Sequence, residues 1–306
     1  MRGDDAMHGF FNINKPAGLT SHDVVYRVRK WSGVRQVGHG GTLDPDATGV
    51  LPLGLGHGTR LLEFLPDIKV YQAAIEFGRA TDTYDASGTV VEEHDPSFLT
   101  RDMVAEVLDR FIGEVPQQPP AYSALRHQGT RLYRLARKGI AVEAPPRMVR
   151  IDSITLVHWD PPVAWTVVAC RRGTYMRSLA HDAGRLLGCG GHLQELSRLQ
   201  DGEFRIEESV ALDDLRMAFE AGEAAPLLHP LETPVRSWPA VRLTGTEERD
   251  VLQGRALCAH DSRLTGAPPA GGTQRCRAHG LAGHLVALLQ RETGDPCWHP
   301  FKVFPQ

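Results

Sequence analysis

The sequence predicts an α+β protein with a mixed or antiparallel sheet, flanking helices and a small β-rich module at its end. Three observations carry this expectation. Strand-like and helix-like stretches alternate irregularly along residues 9–219, without the even spacing of a doubly wound parallel sheet. Prolines 226, 230, 234 and 239 then recur, which is the composition of a linker. Beyond them, residues 241–243, 281–289 and 301–304 carry short β patterns around a Gly/Pro-rich stretch at 266–273. A chain of 306 residues is long enough for two domains. The expected division is 1–235 and 236–306.

The elements follow in order. Residues 9–14 read as a short strand, and Lys15-Pro16-Ala17-Gly18 as a turn. Thr20 or Ser21 caps a helix with Asp23 in its first turn. Val24, Val25 and Val28 supply its apolar stripe. Residues 50–53 read as a buried strand, 59–65 as a short helix closed by Pro66, and 70–77 as a strand. A polar turn at 80–88 precedes a strand at 89–92. Thr100 opens a helix to Ile112 with Val104, Val107, Leu108 and Phe111 on one face, and Gly113 ends it. Pro116, Pro119 and Pro120 impose an extended connection. Strands at 149–158 and 163–170 flank Pro161-Pro162. A helix at 175–187 stops at Gly188, Gly190-Gly191 leads into a strand or short helix, and 211–219 is helical.

Composition narrows the class. No apolar run approaches the roughly 18 residues of a membrane helix, and no secretory signal is recognised at the start. Five cysteines, an odd number, do not suggest a disulfide framework. The expectation is a soluble, reduced, cytoplasmic protein. The net charge of −3 weighs against a general polyanion binder, but the cations are clustered. Arg126, Arg131, Arg134, Arg137 and Lys138 form one acid-free run beside Tyr122, His127 and Tyr133. Arg27, Arg29, Lys30 and Arg35 surround Trp31, and Arg171, Arg172 and Arg177 surround Tyr175. Cations interleaved with aromatics suit phosphate contact and base stacking.

The chemistry concentrates at residues 38–49, Gly38-His39-Gly40-Gly41-Thr42-Leu43-Asp44-Pro45-Asp46-Ala47-Thr48-Gly49. Four glycines and two carboxylates in this stretch describe a tight loop carrying polar groups on a rigid scaffold. Pro45 restricts Asp44 to extended geometry and so narrows its orientations. No P-loop, nucleophile elbow or HExxH is present, and Gly54-Leu55-Gly56 alone is a weak dinucleotide signal. Cys258/His260, Cys276/His279 and Cys297/His299 raise zinc as a possibility, but their spacing is irregular. An aspartate nucleophile remains, with Arg177 as the cation that keeps Asp44 ionised and aimed. The bland alternative is that Asp44 braces a turn.

Further motifs extend this pattern. They are Lys15-Pro16, Gly38 through Leu53, Lys69-Val70-Tyr71, Thr81-Asp82-Thr83 through Gly88, and Phe111-x-Gly113. Gln117-x-Pro119-Pro120-x-Tyr122-Ser123-Ala124, Gly173-Thr174-Tyr175-x-Arg177 and Gly188 through Arg198 complete the series. In these motifs the chain closely resembles the TruB family of tRNA pseudouridine synthases in its bacterial stand-alone form. The resemblance implies the pseudouridine synthase fold, with a mixed, largely antiparallel central sheet, and a PUA-like C-terminal module. It also implies isomerisation of uridine to pseudouridine at position 55 in the TΨC loop of tRNA. Asp44 matches the essential aspartate, Tyr71 the tyrosine that stacks on the target base, and Arg177 the arginine paired with the aspartate. His39 matches the histidine that fills the space of the flipped nucleotide. Lys15 and Tyr175 are expected RNA contacts. Arg126, Arg131, Arg134, Arg137 and Lys138 belong to an RNA-gripping insertion near 122–140. No metal, nucleotide or redox cofactor and no obligatory protein partner is implied, and a monomer is expected. The alternative expectation is a tRNA-folding chaperone whose catalytic loop is dispensable.

Overall fold

The computed structural model describes residues 7–120, 126–127, 130–131, 144–258, 261–267 and 272–305. The chain begins with β1 (Gly9–Lys15), α1 (Ser21–Ser32), β2 (Val37–His39) and β3 (Thr48–Leu55). β4 (Ile68–Phe77) leads into a small pair, β5 (Arg79–Thr81) and β6 (Val90–Glu93), and then α2 (Arg101–Asp109) and β7 (Gly113–Gln117). β8 (Arg126–His127) pairs with β9 (Thr130–Arg131). β10 (Arg147–Asp160), β11 (Val163–Arg171), α3 (Met176–Leu187) and β12 (Gly191–Asp201) follow. β13 (Phe204–Arg205), β14 (Val210–Ala211) and α4 (Leu212–Ala221) close the body.

The body is one ten-stranded sheet whose main path runs β14-β1-β3-β12-β4-β11-β10-β7. β1 with β14 and β3 with β12 are parallel, and the other neighbours on this path are antiparallel. The expected mixed, largely antiparallel sheet is therefore present. A second sheet contains β15 (Ala240–Arg242), β16 (Leu264–Thr265), β17 (Gln274–His279), β18 (Leu285–Arg291) and β19 (His299–Val303), with α5 (Gly245–Leu252) beside it. None of the described helices is long and apolar enough to cross a membrane.

Helix signals in the sequence act as expected. Thr20 caps α1: its hydroxyl accepts from the Asp23 backbone N–H, and the Asp23 carboxylate accepts from the Thr20 N–H. Val24, Val25 and Val28 face the core, and Gly33 ends the helix at φ 70°. Ser21 is not the cap. Its hydroxyl turns to the glycine-rich loop at 38–49, where it accepts from Leu43 N at 2.8 Å.

Several expectations need correction. Residues 59–65 form 3₁₀ turns, Gly56–Arg60 and Leu62–Phe64, rather than one helix. Pro116 lies within β7, which pairs with β10 at the end of the sheet path, where a missing N–H is tolerated. The proline-rich stretch is not a free linker. His229 exchanges backbone hydrogen bonds with Phe10, and Val235 is fully buried. Phe10, Val50, Leu61 and Leu65 share a core with Leu285, Leu288 and Phe304, so the second sheet is packed against the body. Each such large apolar side chain gains about 1.5–3 kcal/mol on burial.

The cysteine expectation also fails. Cys258 and Cys297 form a disulfide, while Cys170, Cys189 and Cys276 are free and buried. The cause is local. Leu257 and Trp298 exchange two backbone hydrogen bonds, which sets their neighbours Cys258 and Cys297 side by side. An odd cysteine total says nothing about such a pair. The Cys/His pairs are accordingly dispersed. His279 bonds Glu232 at 2.6 Å and His299 bonds Asp295 at 3.0 Å, and no metal-holding group gathers among the described residues. His260 lies outside the described residues.

Candidate active site

The loop between β2 and β3 is fastened from below at several backbone points. Gly40 N donates to Pro52 O at 3.0 Å, Gly18 N to Pro45 O at 3.0 Å, and Ala47 N to Asp44 O at 3.2 Å. Lys15 provides the strongest anchor. Its ammonium donates to the carbonyls of Pro16 (2.9 Å), Leu19 (2.7 Å) and Pro45 (2.9 Å), and its side chain is fully buried. Burial pulls its pKa down to about 8 against the opposing pull of Asp46 and Asp44. The expectation of an RNA contact at Lys15 is therefore wrong: its donors are spent on the loop that carries Asp44. Lys15→Met is expected to leave three carbonyls without their donor and to cost about 3–5 kcal/mol. Urea unfolding, read as a lowered midpoint at unchanged slope, checks this.

Asp44 and Arg177 meet across 133 residues of sequence. Arg177 Nη2 lies 3.1 Å from Asp44 Oδ1, and its Nε 3.0 Å from Oδ2. This is a bidentate fork, which fixes the carboxylate in plane as well as in position. The guanidinium is buried to 7% exposure, while 40% of the Asp44 side chain is accessible. The carboxylate is thus presented to solvent from a buried cation. Burial pushes its pKa up, with Arg177 opposing and Asp85 adding to the rise.

Arg177 is placed by the start of α3. The Gln117 side-chain amide bridges the Tyr175 backbone, accepting from its N–H at 2.7 Å and donating to its carbonyl at 3.0 Å. β7 therefore sets the depth at which the helix begins. Tyr175 lies at this N-terminus, partly exposed.

Asp85 was missed by sequence reasoning. Its Oδ2 lies 3.6 Å from Arg177 Nη1, so one guanidinium serves two carboxylates. Its Oδ1 accepts from Thr83 Oγ1 (2.7 Å), Ser87 N (3.1 Å) and Ser87 Oγ (2.6 Å). The preceding Tyr84 adopts φ 65° and stacks on His181 with ring centroids 3.9 Å apart. A non-glycine residue in that region carries strain held by its surroundings. The signal was the polar turn Thr81-Asp82-Thr83-Tyr84-Asp85, read as a motif without a partner.

Tyr71 lies on β4 at 8% exposure, and burial pushes its phenol up to about 12. It pairs across the sheet with Arg198 of β12, whose side chain donates to the Gly41 and Val50 carbonyls and so ties this strand pair to the loop. His39 is half-buried at the end of β2. Burial and Arg198 lower its pKa, so its imidazole is neutral at neutral pH. Arg126 and Arg131 are backbone partners in the small β8–β9 pair. Arg134, Arg137 and Lys138 lie outside the described residues.

Comparison with known proteins identifies the family. Residues 29–176 match the model of the TruB family pseudouridylate synthase N-terminal domain, and residues 177–236 that of the tRNA pseudouridylate synthase B C-terminal domain. The chain is 43% identical over 299 residues to the tRNA pseudouridine synthase B of Dehalococcoides mccartyi (strain CBDB1), covering 97% of each protein. It is 43% identical over 256 residues to the protein of the same name from Geobacter sulfurreducens, covering 83% of this chain and 84% of that one. The fold is similar to that in a structure of an H/ACA RNP bound to a substrate RNA containing 2′-deoxyuridine. There the TM-score is 0.74 at 25% identity, over 98% of this chain and 86% of that chain. A Cbf5-Nop10-Gar1 complex gives 0.73 at 25% identity, over 100% and 90%. The chain belongs to the TruB family of pseudouridylate synthases.

Proposed function

We propose that this chain isomerises uridine to pseudouridine at position 55 in the TΨC loop of tRNA, with Asp44 as the essential carboxylate. The observation that carries the reading is the Asp44–Arg177 fork, a half-exposed acid held in one orientation on a glycine-rich loop. The relatives' shared name supplies tRNA as substrate. In the reaction N1–C1′ breaks, the uracil turns, C5–C1′ forms, C5 releases its proton and N1 takes one up. Nothing is gained or lost overall.

The target base must first leave its stack, at a cost of a few kcal/mol. Stacking on Tyr71 returns about 1–3 kcal/mol, and neutral His39 fills the vacated space without adding charge. The Arg177 cation lowers the cost of ionising Asp44 beside the sugar–base linkage. Residues 1–235 form the catalytic domain in this reading, and 236–306 a PUA-like domain. Its five-stranded sheet and separate apolar cluster support that division. The segment near 122–140 grips the RNA, so the chain acts without a protein partner.

Incubating the pure protein with an unmodified tRNA transcript, then mapping pseudouridine, tests the function. Product at position 55 is expected, and its absence overturns the reading. Neutralising Arg131, Arg134 and Arg137 together is expected to weaken binding. The slope of log affinity against log salt should become shallower by about 2–3, one counterion per phosphate contact.

A further inference from the structure

A buried ionic cluster lies directly beneath the catalytic loop. β4 pairs Lys69 with Asp201 and Tyr71 with Arg198 of β12. Arg198 and Asp201 are three apart, so a regular strand would point them to opposite faces. A register shift between Arg198 and Gln200 corrects this and turns both side chains to the loop.

The contacts are specific. Lys69 Nζ stands 2.5 Å from Asp201 Oδ1, and Arg198 Nη2 3.4 Å from Asp201 Oδ2. The side chains are 9%, 1% and 1% exposed for Lys69, Arg198 and Asp201. Arg198 Nε donates to Val50 O at 2.7 Å, and Nη2 to Gly41 O at 3.1 Å. Gly41 and Val50 flank Asp44, so one guanidinium ties both arms of the loop. The Gly41 backbone rests on the cluster: a Cβ there would stand 3.3 Å from Lys69 Nζ and 3.5 Å from Arg198 Nη1 and Asp201 Oδ2. Asp201 is the carboxylate paired with both cations, and burying a cation without its partner is strongly unfavourable.

We propose that Asp201 and Lys69 are positioning residues for the uridine isomerisation. Their ion pair fixes the Arg198 guanidinium in the plane from which it holds Gly41 and Val50. The pair thereby sets the placement of Asp44 relative to the Tyr71 ring. The role in turnover rests on the function proposed above; the hold on the loop does not.

Asp201→Asn and Asp201→Glu separate these points, measured by single-turnover rate at saturating transcript, transcript affinity, and amide hydrogen exchange. Asp201→Asn is expected to slow turnover by about 10–100-fold, the scale of a small misplacement of reacting groups. Affinity should stay within about twofold, as for an interaction that matters in the transition state. Exchange should quicken in residues 40–50 while β10 and β11 keep wild-type protection. Asp201→Glu keeps the charge on a longer arm and should fall between the two. Wild-type turnover and loop exchange in Asp201→Asn overturn the proposal, as does a uniform rise in exchange across the sheet. If Asp201→Asn does not fold, Asp201→Glu decides: slower turnover at an unchanged thermal midpoint supports the role, and wild-type turnover refutes it. If the wild-type protein makes no pseudouridine, the functional reading fails, and loop exchange still decides whether Asp201 holds the loop.

Discussion

Asp44→Asn is expected to abolish isomerisation while tRNA binding survives. The amide is nearly isosteric and still offers one oxygen to Arg177, so the loop and its anchors at Lys15 and Ser21 remain in place. It loses the negative charge on which the proposed role of Asp44 depends. Removing one member of a reacting constellation costs about 10⁴-fold or more in turnover. Pseudouridine mapping after long incubation reads the first effect, and a filter-binding titration the second. Product formed at more than about one hundredth of the wild-type rate would remove Asp44 from the chemistry. Loss of binding together with turnover would show that the substitution disturbs the loop itself rather than the chemistry alone.

Arg177→Met ranks second, and pH is its diagnostic. Burial raises the pKa of Asp44, and Arg177 opposes that rise. Without the guanidinium, burial and the repulsion from Asp85 act unopposed by it, so the carboxyl holds its proton to higher pH. In the proposed reaction the ionised form is the reactive one. The acid limb of the rate profile should therefore move upward in pH, and raising the pH should recover part of the lost rate. Each unit of displacement corresponds to 1.36 kcal/mol. Arg177→Lys restores a point charge without the fork and should recover less than full activity. Turnover is expected to fall about 10²–10³-fold at neutral pH, since orientation is lost along with charge. A limb that stays at its wild-type position would show that the ion pair does not tune Asp44.

The loop at 38–49 was legible because its chemistry is local. Glycines, a proline and an acid in one stretch state their purpose without distant partners. The Asp44–Arg177 pair was legible through motif order. The burial of Lys15 was not, because a lysine after a strand looks like any surface cation until the carbonyls of Pro16, Leu19 and Pro45 converge on it. Asp85 escaped for the same reason: the residue that gives it meaning lies on α3. The irregularity in β12 beside Arg198 has no sequence signature, yet it decides which face Asp201 occupies. α1 and α3 were read closely because helix stops such as Gly33 and Gly188 are short-range signals, whereas α2 ends at Asp109, short of the expected stop at Gly113. The disulfide arose from a backbone pairing between Leu257 and Trp298, which a count of cysteines cannot reveal.

β12 lies between β3 and β4, and this arrangement constrains how the protein is made. A nascent chain emerges from its N-terminus at about 5–20 residues per second. Its first part carries the loop and Tyr71 but neither the strand that separates them nor the helix that supplies Arg177. Insertion of that late strand between two early ones is a long-range closure, the kind that slows folding. A ribosome stalled before α3 would hold a fragment with Asp44 but without its arginine. The Asp44–Arg177 fork therefore cannot form until more than half of the polypeptide has been translated.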